Sequence, residues 1–386
     1  MTSTLTPACE DELAEIVSRA ASDGGKLLIA GGGSKAGIGA PVTAQPLCMK
    51  RFSGVVDYDP AEMVLTVRAG TPLREILDLV ESEGQMLAFE PFDHGPIFGR
   101  PSGDATIGGV VAAGVAGSQR VSMGSVRDHL LGFRAVSGRG EVFRAGGKVV
   151  KNVTGYDLPK LAAGSWGRLF ALTELTLKVI PRPRMTATRV IEGLDEQAAL
   201  RSMSAAMGSQ ADVAAAAYIP GNLRNGRSLT AFRIQGFGPS VAARCTVLET
   251  LLGGGPGIVA SPSDEEAGRI WSDLRDLAPL GSGRPIWRIN VPPSAMCSVV
   301  TALERLGADW LCDWAGGMIL LAFEGDPVAV REAAARGGGH AMLLRADASQ
   351  RSSIPAFHPL QPGVAALETR IRRAFDPAGV FETGRF

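Results

Sequence analysis

The sequence is poor in the side chains that usually announce a chemistry. Its five cysteines (Cys9, Cys48, Cys245, Cys297 and Cys312) are scattered, with no CxxC pair, which argues against an iron–sulfur or zinc site and fits a reduced cytosolic chain. The four histidines, His94, His129, His340 and His358, include no i, i+4 pair of the kind that holds a metal on a helix. Basic and acidic residues balance at 39 each, so nucleic acid and anionic membrane surfaces are not expected as partners. No apolar run reaches the roughly 20 residues of a membrane span, and the opening MTSTLTPACEDEL is polar and acidic, unlike a signal peptide. The expectation is a cytoplasmic chain without an integral membrane segment. A serine nucleophile elbow is also excluded, because Gly164-Ser-Trp-Gly167 has Ala163 where the motif needs glycine.

Glycine is what the sequence has in quantity, 49 in 386 residues, and much of it falls between Asp104 and Pro183. There glycines recur at turn-like intervals between short aliphatic runs such as Phe133–Val136 and Leu172–Ile180. Glycine allows backbone to approach a ligand and to adopt positive φ. The reading is a run of short strands and turns that holds a large cofactor mainly through backbone. A second glycine cluster, Gly31-Gly-Gly-Ser-Lys35, follows the apolar run Lys26–Ala30. Consecutive N–H groups there suit a phosphate, with Ser34 or Lys35 as an extra donor; a plain glycine turn is the alternative. It is neither a dinucleotide fingerprint nor a Walker loop.

Periodicity organises the rest. A first helix runs from about Cys9, with Leu13, Ile16, Val17 and Ala20 on one face, and stops at Gly24. Met63–Arg68 alternates as a strand, and Thr71-Pro72 caps a helix that buries Leu73, Ile76, Leu77 and Val80. Pro181-Arg-Pro-Arg184 marks a boundary. Beyond it, helices over Glu196–Met207, Val241–Leu252, Glu265–Leu277 and Ala295–Leu306 alternate with strands over Ala215–Ile219, Ser228–Gln235, Pro285–Val291, Trp310–Asp313 and Met318–Phe323. That pattern predicts an α+β layer with helices on one face. A final helix runs from about Gly363, and no internal repeat stands out.

Several motifs carry a resemblance. Thr106-Ile-Gly-Gly109, Gly124-Ser-Val-Arg-Asp128, Gly146–Leu158 and Gly164-Ser-Trp-Gly167, closing in Leu172-Thr-Glu174, resemble the FAD-binding domain of the vanillyl-alcohol-oxidase (PCMH-type) flavoproteins. Trp287-Arg-Ile-Asn-Val-Pro292, Asp313-Trp-Ala-Gly-Gly317, Gly338-Gly-His-Ala341 and Phe375–Phe381 extend the likeness to the FAD-binding E subunits of bacterial glycolate oxidases, over nearly the whole chain. The resemblance implies an α+β protein: a PCMH-type FAD-binding domain of two subdomains over 1–183, an α+β, ferredoxin-like cap over 184–338, and a return segment over 339–386 packed on the first domain. The 89–98 loop is expected to run toward the flavin. FAD contacts are implied at Gly31, Gly32, Gly33, Ser34, Lys35, Asp104, Thr106, Ile107, Gly109, Ala113, Gly117, Ser125, Asp128, Gly167 and Leu172. Gly32 is expected to stay bare so that backbone meets the pyrophosphate. Residues 31–40 hold no histidine or cysteine, so the FAD is expected to be non-covalent.

The resemblance also implies oxidation of glycolate or a related small 2-hydroxy acid, in a complex with a larger FAD-containing subunit and an iron–sulfur subunit, peripheral to the inner membrane through those partners. A non-catalytic electron-transfer or scaffolding subunit is the alternative, and an NADPH-dependent reductase on a related fold is a third. The Glu-His-Gly motif that independent hydroxy-acid oxidases of the superfamily often carry is missing, since the chain reads Gly337-Gly-Gly-His-Ala-Met342. His340 then becomes the candidate base, or a turn histidine. Arg233 and Arg288, in apolar cap strands, are candidate carboxylate clamps, or ion-pair partners. Relatives read Phe-Asn-Pro-Gly where this chain has Phe381-Glu-Thr-Gly384, so a looser tail is expected. Asn152-Val-Thr154 matches a glycosylation sequon without consequence in a cytosolic protein.

Overall fold

A computed structural model describes residues 3–148, 156–254, 257 and 259–386; the 152–154 sequon and the middle of the Gly146–Leu158 motif lie outside the described residues. The first helix, α1 (Glu10–Asp23), has three acidic residues in its opening turn and ends at Gly24 in the left-handed region, φ 67°. β1 (Leu27–Ala30) and β2 (Gln45–Cys48) pair in parallel. β3 (Val55–Asp59) and β4 (Val64–Arg68) follow, then α2 (Leu73–Ser82) and the short β5 (Gln85–Met86). Thr71 is not the cap of α2. Its hydroxyl donates to the Arg68 carbonyl (2.7 Å) and accepts from the Gly54 N–H (3.0 Å), clasping two loops instead.

The glycine-rich stretch departs from its expected string of strands. It opens with three short helices, α3 (Ile107–Ala113), α4 (Arg120–Met123) and α5 (Val126–His129). Thr106 caps α3 by accepting the Gly109 N–H, and the Gly108 N–H goes to the Ala69 carbonyl at 2.7 Å. Those long-range bonds override the β-branched residues in this short segment. β6 (Leu130–Ser137), β7 (Val142–Gly146), α6 (Leu158–Ala162), β8 (Phe170–Lys178) and β9 (Ile180–Pro181) complete the first domain. Its main sheet runs β3-β4-β8-β6-β7 and buries Leu65, Ala135, Leu175 and Leu177 fully.

The cap is a ferredoxin-like unit built twice. The first copy is β10 (Met185–Glu192), α7 (Glu196–Met207), β11 (Ala215–Ile219), β12 (Leu229–Gly236), α8 (Gly238–Leu252) and β13 (Val259–Ala260). α9 (Asp264–Asp276) leads to the second: β14 (Ile286–Asn290), α10 (Met296–Glu304), β15 (Asp309–Asp313), β16 (Met318–Ala322), α11 (Pro327–Arg336) and β17 (His340–Arg345). Each copy is βαββαβ, and they join through β11 and β15 into one sheet, β13-β10-β12-β11-β15-β16-β14-β17. The repeat lies in topology rather than in residue identity.

Two expectations change accordingly. The second unit needs its fourth strand, so β17 pairs with β14 and the cap sheet reaches Arg345, past the expected boundary at 338. Helices α7, α8, α10 and α11 do share one face, where Met203, Leu248, Val300 and Val330 are fully buried. α9 departs from them and packs Leu274 on the opposite face, beside the first domain. After α12 (Ala348–Ser353), α13 (Pro362–Phe375) brings Ile371 and Phe375 back onto the first domain's core. No helix among the described residues is long and apolar enough to cross a membrane.

Candidate functional site

Two neighbouring hollows make the site. The first, about 170 Å³, is a cradle between the loop after β1 and the start of α3. Gly31, Gly32, Gly33, Ser34, Lys35, Thr106, Gly109, Ala113, Gly167 and Leu172 line it. A Cβ on Gly32 would lie 1.5 Å from the Asp104 carbonyl oxygen, and one on Gly31 2.2 Å from Thr106 Oγ1. Gly32 is therefore bare because backbone packs on backbone there. Gly33, at φ 84°, has no neighbour within 4 Å on its side-chain side.

Other residues hold the loop in place. Arg100 Nη2 donates to the Gly33 carbonyl at 2.8 Å. The Asp93 carboxylate accepts the N–H groups of Gly95, Gly103 and Ala105 at 2.7–2.9 Å. The tail is tied more firmly than expected. Asp376 accepts the N–H groups of Val380 and Phe381, and Arg385 donates to the carbonyls of Lys35 (2.6 Å) and Ile38 (2.8 Å). Among the described residues Lys35 has only the Ser34 hydroxyl as partner, at 3.2 Å; burial pulls its pKa down to about 8, against the pull of Asp93. Glycine backbone, apolar walls and a cation without a salt bridge among the described residues suit the diphosphate of a dinucleotide.

The second hollow, about 540 Å³, lies between the domains and shares Ala113 and Trp166 with the cradle. Gly117 lines it, as do Arg233, Arg288 and the 89–98 loop through Glu90, Phe92 and His94. Arg233 is not a free clamp. Its Nη1 and Nη2 hold both Glu90 oxygens at 2.9 and 3.0 Å, and its guanidinium sits 4.5 Å from the Trp271 ring centre. Arg288 is the opposite case. Its Nε is enclosed without a partner, its Nη2 reaches only Met342 Sδ at 3.7 Å, and among the described residues no carboxylate forms an ion pair with it. Burial, then repulsion from Arg120, pushes its pKa down to about 10.

His340 is not in this cavity; it stands at the start of β17, on an outer groove with Ser125 and Asp128. Those two form the capping box of α5 and are not among the residues that line the cradle, and Ile107 is buried in the core. Asp104 abuts the cradle through its backbone. The histidine in the cavity is His94, which sequence reasoning passed over. It is buried, stacked on Phe92 (4.6 Å, 3°), and its Nδ1 has no partner. Burial, then Lys35 and Arg288, hold its pKa well below the ordinary imidazole value, so the ring is neutral.

The cap is latched to the first domain at the cavity floor. Ser118 donates to Asp313 at 2.6 Å, and Trp314 Nε1 to the Gly117 carbonyl at 3.0 Å. Burial raises the Asp313 pKa from 3.8 to about 6, opposed by the bonds from Ser118 and Trp314. The folded chain thus holds this proton more tightly than the unfolded chain does. The associated stability is full below the unfolded pKa and is lost as pH rises through about 6. Asp313→Asn is expected to flatten that loss, by roughly 1–3 kcal/mol between pH 4.5 and 7.5, read from urea midpoints of variant and wild type.

Comparisons with known proteins fit this geometry. A family model described as "FAD binding domain" matches residues 2–146. Over 375 residues the chain is 36% identical to glycolate oxidase subunit GlcE of Escherichia coli (strain K12), covering 97% of this chain and 96% of that protein. It is 31% identical over 179 residues to glycolate oxidase subunit GlcD of Bacillus subtilis (strain 168), covering 46% and 34%. Among solved structures, p-cresol methylhydroxylase with substrate bound superposes with a TM-score of 0.70 at 15% identity, over 99% of this chain and 88% of that one. Alkyldihydroxyacetonephosphate synthase gives 0.69 at 15% identity, over 98% and 76%. At that identity the two structures speak for the fold.

Proposed function

The chain belongs to the family of glycolate oxidase subunit GlcE, and from that premise we propose that it is the FAD-binding subunit of a complex that oxidises glycolate or a related 2-hydroxy acid to the 2-oxo acid. Bound FAD would supply the acceptor for the hydrogen and electron pair that leave the α-carbon. Gly31–Lys35, Thr106, Gly109, Gly167 and Leu172 would hold it in the cradle. Arg288 carries the reading: a guanidinium without an ion-pair partner among the described residues, facing a cavity that shares Ala113 and Trp166 with the cradle, is suited to take the substrate carboxylate through its planar fork. His94, neutral and held by the Phe92 stack, takes the hydroxyl proton. Arg233 positions Glu90, which also accepts the backbone and amide N–H of Gln119.

The FAD is held without a covalent bond. No histidine or cysteine is among the residues that line the cradle, and acid precipitation should release all yellow colour to the supernatant. Flavin left on the pellet would refute this. The partners are a larger FAD-containing subunit and an iron–sulfur subunit, because five scattered cysteines without a cluster spacing leave onward transfer to another polypeptide. The location is cytoplasmic, against the inner membrane through those partners.

The test is anaerobic reduction by glycolate and lactate of the isolated chain and of the co-expressed complex. Slow or absent bleaching alone and full bleaching in the complex are expected. In the complex, His94→Gln should slow the limiting reduction rate by about 10²–10⁴-fold with little change in substrate affinity. An unaltered rate removes His94 from the reaction.

A further inference from the structure

The motifs Gly124–Asp128, Trp287–Pro292, Asp313–Gly317 and Gly338–Ala341 meet on the far side of Trp314 from the cavity. A groove of about 510 Å³ lies there between the domains, walled by Arg120, Ser125 and Asp128 on one side and by Asn290, Trp314 and His340 on the other. Strand register joins it to the cavity. Asn290 pairs with His340 across β14 and β17, and Arg288 with Met342. Residues two apart on a strand share a face, and directly opposed residues point the same way. These four side chains therefore stand in one patch on the inner face of the cap sheet. Arg288 and Met342 line the cavity, Asn290 and His340 line the groove, and about 7 Å of strand separates the two pairs. Trp314 borders both hollows, with the Arg120 guanidinium 4.2 Å from its ring centre.

Arg120 and Arg288 face this patch, with the Asp128 carboxylate on the groove wall. Among the described residues neither Arg120 nor Arg288 forms an ion pair. Asp128, on the groove wall, attracts Arg120 through space, but its carboxylate takes the hydroxyl and N–H of Ser125. His340 feels burial first, then the repulsion of Arg288, His358 and Arg120, all of which hold its pKa down. Cationic groups crowded in this way are relieved by an anion set among them.

We propose that the groove is a second carboxylate site, where Arg120 and His340 receive a small 2-hydroxy acid on its way to Arg288 and hold the 2-oxo acid as it leaves. The proposal rests on the reading of Arg288 as the inner clamp. Trp314 is the partition between the two sites, held by its bond to the Gly117 carbonyl.

The chain has four histidines, so imidazole resonances of histidine-labelled, FAD-loaded protein report on the groove through His340 and on the cavity through His94, without turnover. The probe is acetate, which carries the carboxylate and lacks the hydroxyl; His340→Gln assigns the groove resonance. Acetate should shift the His340 signal saturably, and Arg120→Gln should weaken that response about tenfold. Arg120→Lys, which keeps the charge and loses the fork, should retain part of it. Arg288→Gln should abolish the His94 response and leave the His340 response in place. A His340 signal indifferent to acetate overturns the proposal, as would follow if the groove instead takes an acidic segment of a partner subunit. So does a response unchanged in both Arg120 variants. If His340 responds and His94 does not, the inner clamp fails and the groove stands.

Discussion

Gly32→Ala should leave the purified chain nearly free of FAD. The added methyl would lie 1.5 Å from the Asp104 carbonyl oxygen and 2.5 Å from its carbon. Both atoms are backbone, so no side-chain rotation relieves the clash. The loop must lift away from Asp104–Thr106, and the two walls of the cradle part. Overpacking of this kind costs about 1–3 kcal/mol or more, enough to bring flavin occupancy after desalting below about a tenth of wild type. Gly33→Ala is the control. It meets nothing within 4 Å and carries only the strain of φ 84°, about 1–2 kcal/mol, so it should weaken FAD less. The ratio of absorbance at 450 nm to that at 280 nm reads both variants, and the melting temperature of the apo chain confirms that they fold. Stoichiometric FAD in Gly32→Ala would place the cofactor elsewhere.

Arg288→Met should make the protein more stable and much less able to bind substrate. The guanidinium is partly buried, its Nε has no partner, and burial already lowers its pKa to about 10. An apolar side chain of similar length removes that desolvation cost, with a gain of about 1–3 kcal/mol by analogy with buried charges replaced by apolar residues. The same change removes the carboxylate's charged partner, about 2–5 kcal/mol of binding, or roughly 30- to 5,000-fold in kcat/KM for the complex. Arg233→Met should behave differently, because it strands the Glu90 carboxylate it now holds at 2.9 Å; that variant should lose stability. Opposite signs in denaturation midpoints separate the two arginines. A destabilised Arg288→Met would mean that the residue serves packing.

The cap elements were legible because their periodicity agrees with their packing. Glu196–Met207 forms α7 over those same residues, and Ala215–Ile219 forms β11. The doubling of the cap was hidden because the two halves share connectivity and not side chains, so the expected boundary at 338 cut off β17. Around Thr106 the β-branched residues read as strand, while the Ala69 carbonyl, distant in sequence, selects a helix. In the site, the glycine loop was visible through its composition. The division of labour between Arg233 and Arg288 was not, since it depends on Glu90, 143 residues from Arg233. His94 sits in an aperiodic loop of prolines and aromatics, and only its stacking on Phe92 and enclosure by the cap distinguish it. His340 stands out in the sequence by its neighbouring glycines, but strand register carries it to the groove.

The bond from Arg385 to the Lys35 carbonyl spans 350 residues of chain, and that separation orders events during synthesis. At roughly 5–20 residues per second, the loop after β1 waits on the order of tens of seconds for its last fastener. The whole cap emerges in that interval and can fold on its own core. Residues 376–385 come after it, so the cradle is finished only after the cap has been made. Flavin capture is thereby expected late in biogenesis, and a released chain truncated at about residue 350, just past β17, should carry a folded cap and no bound flavin.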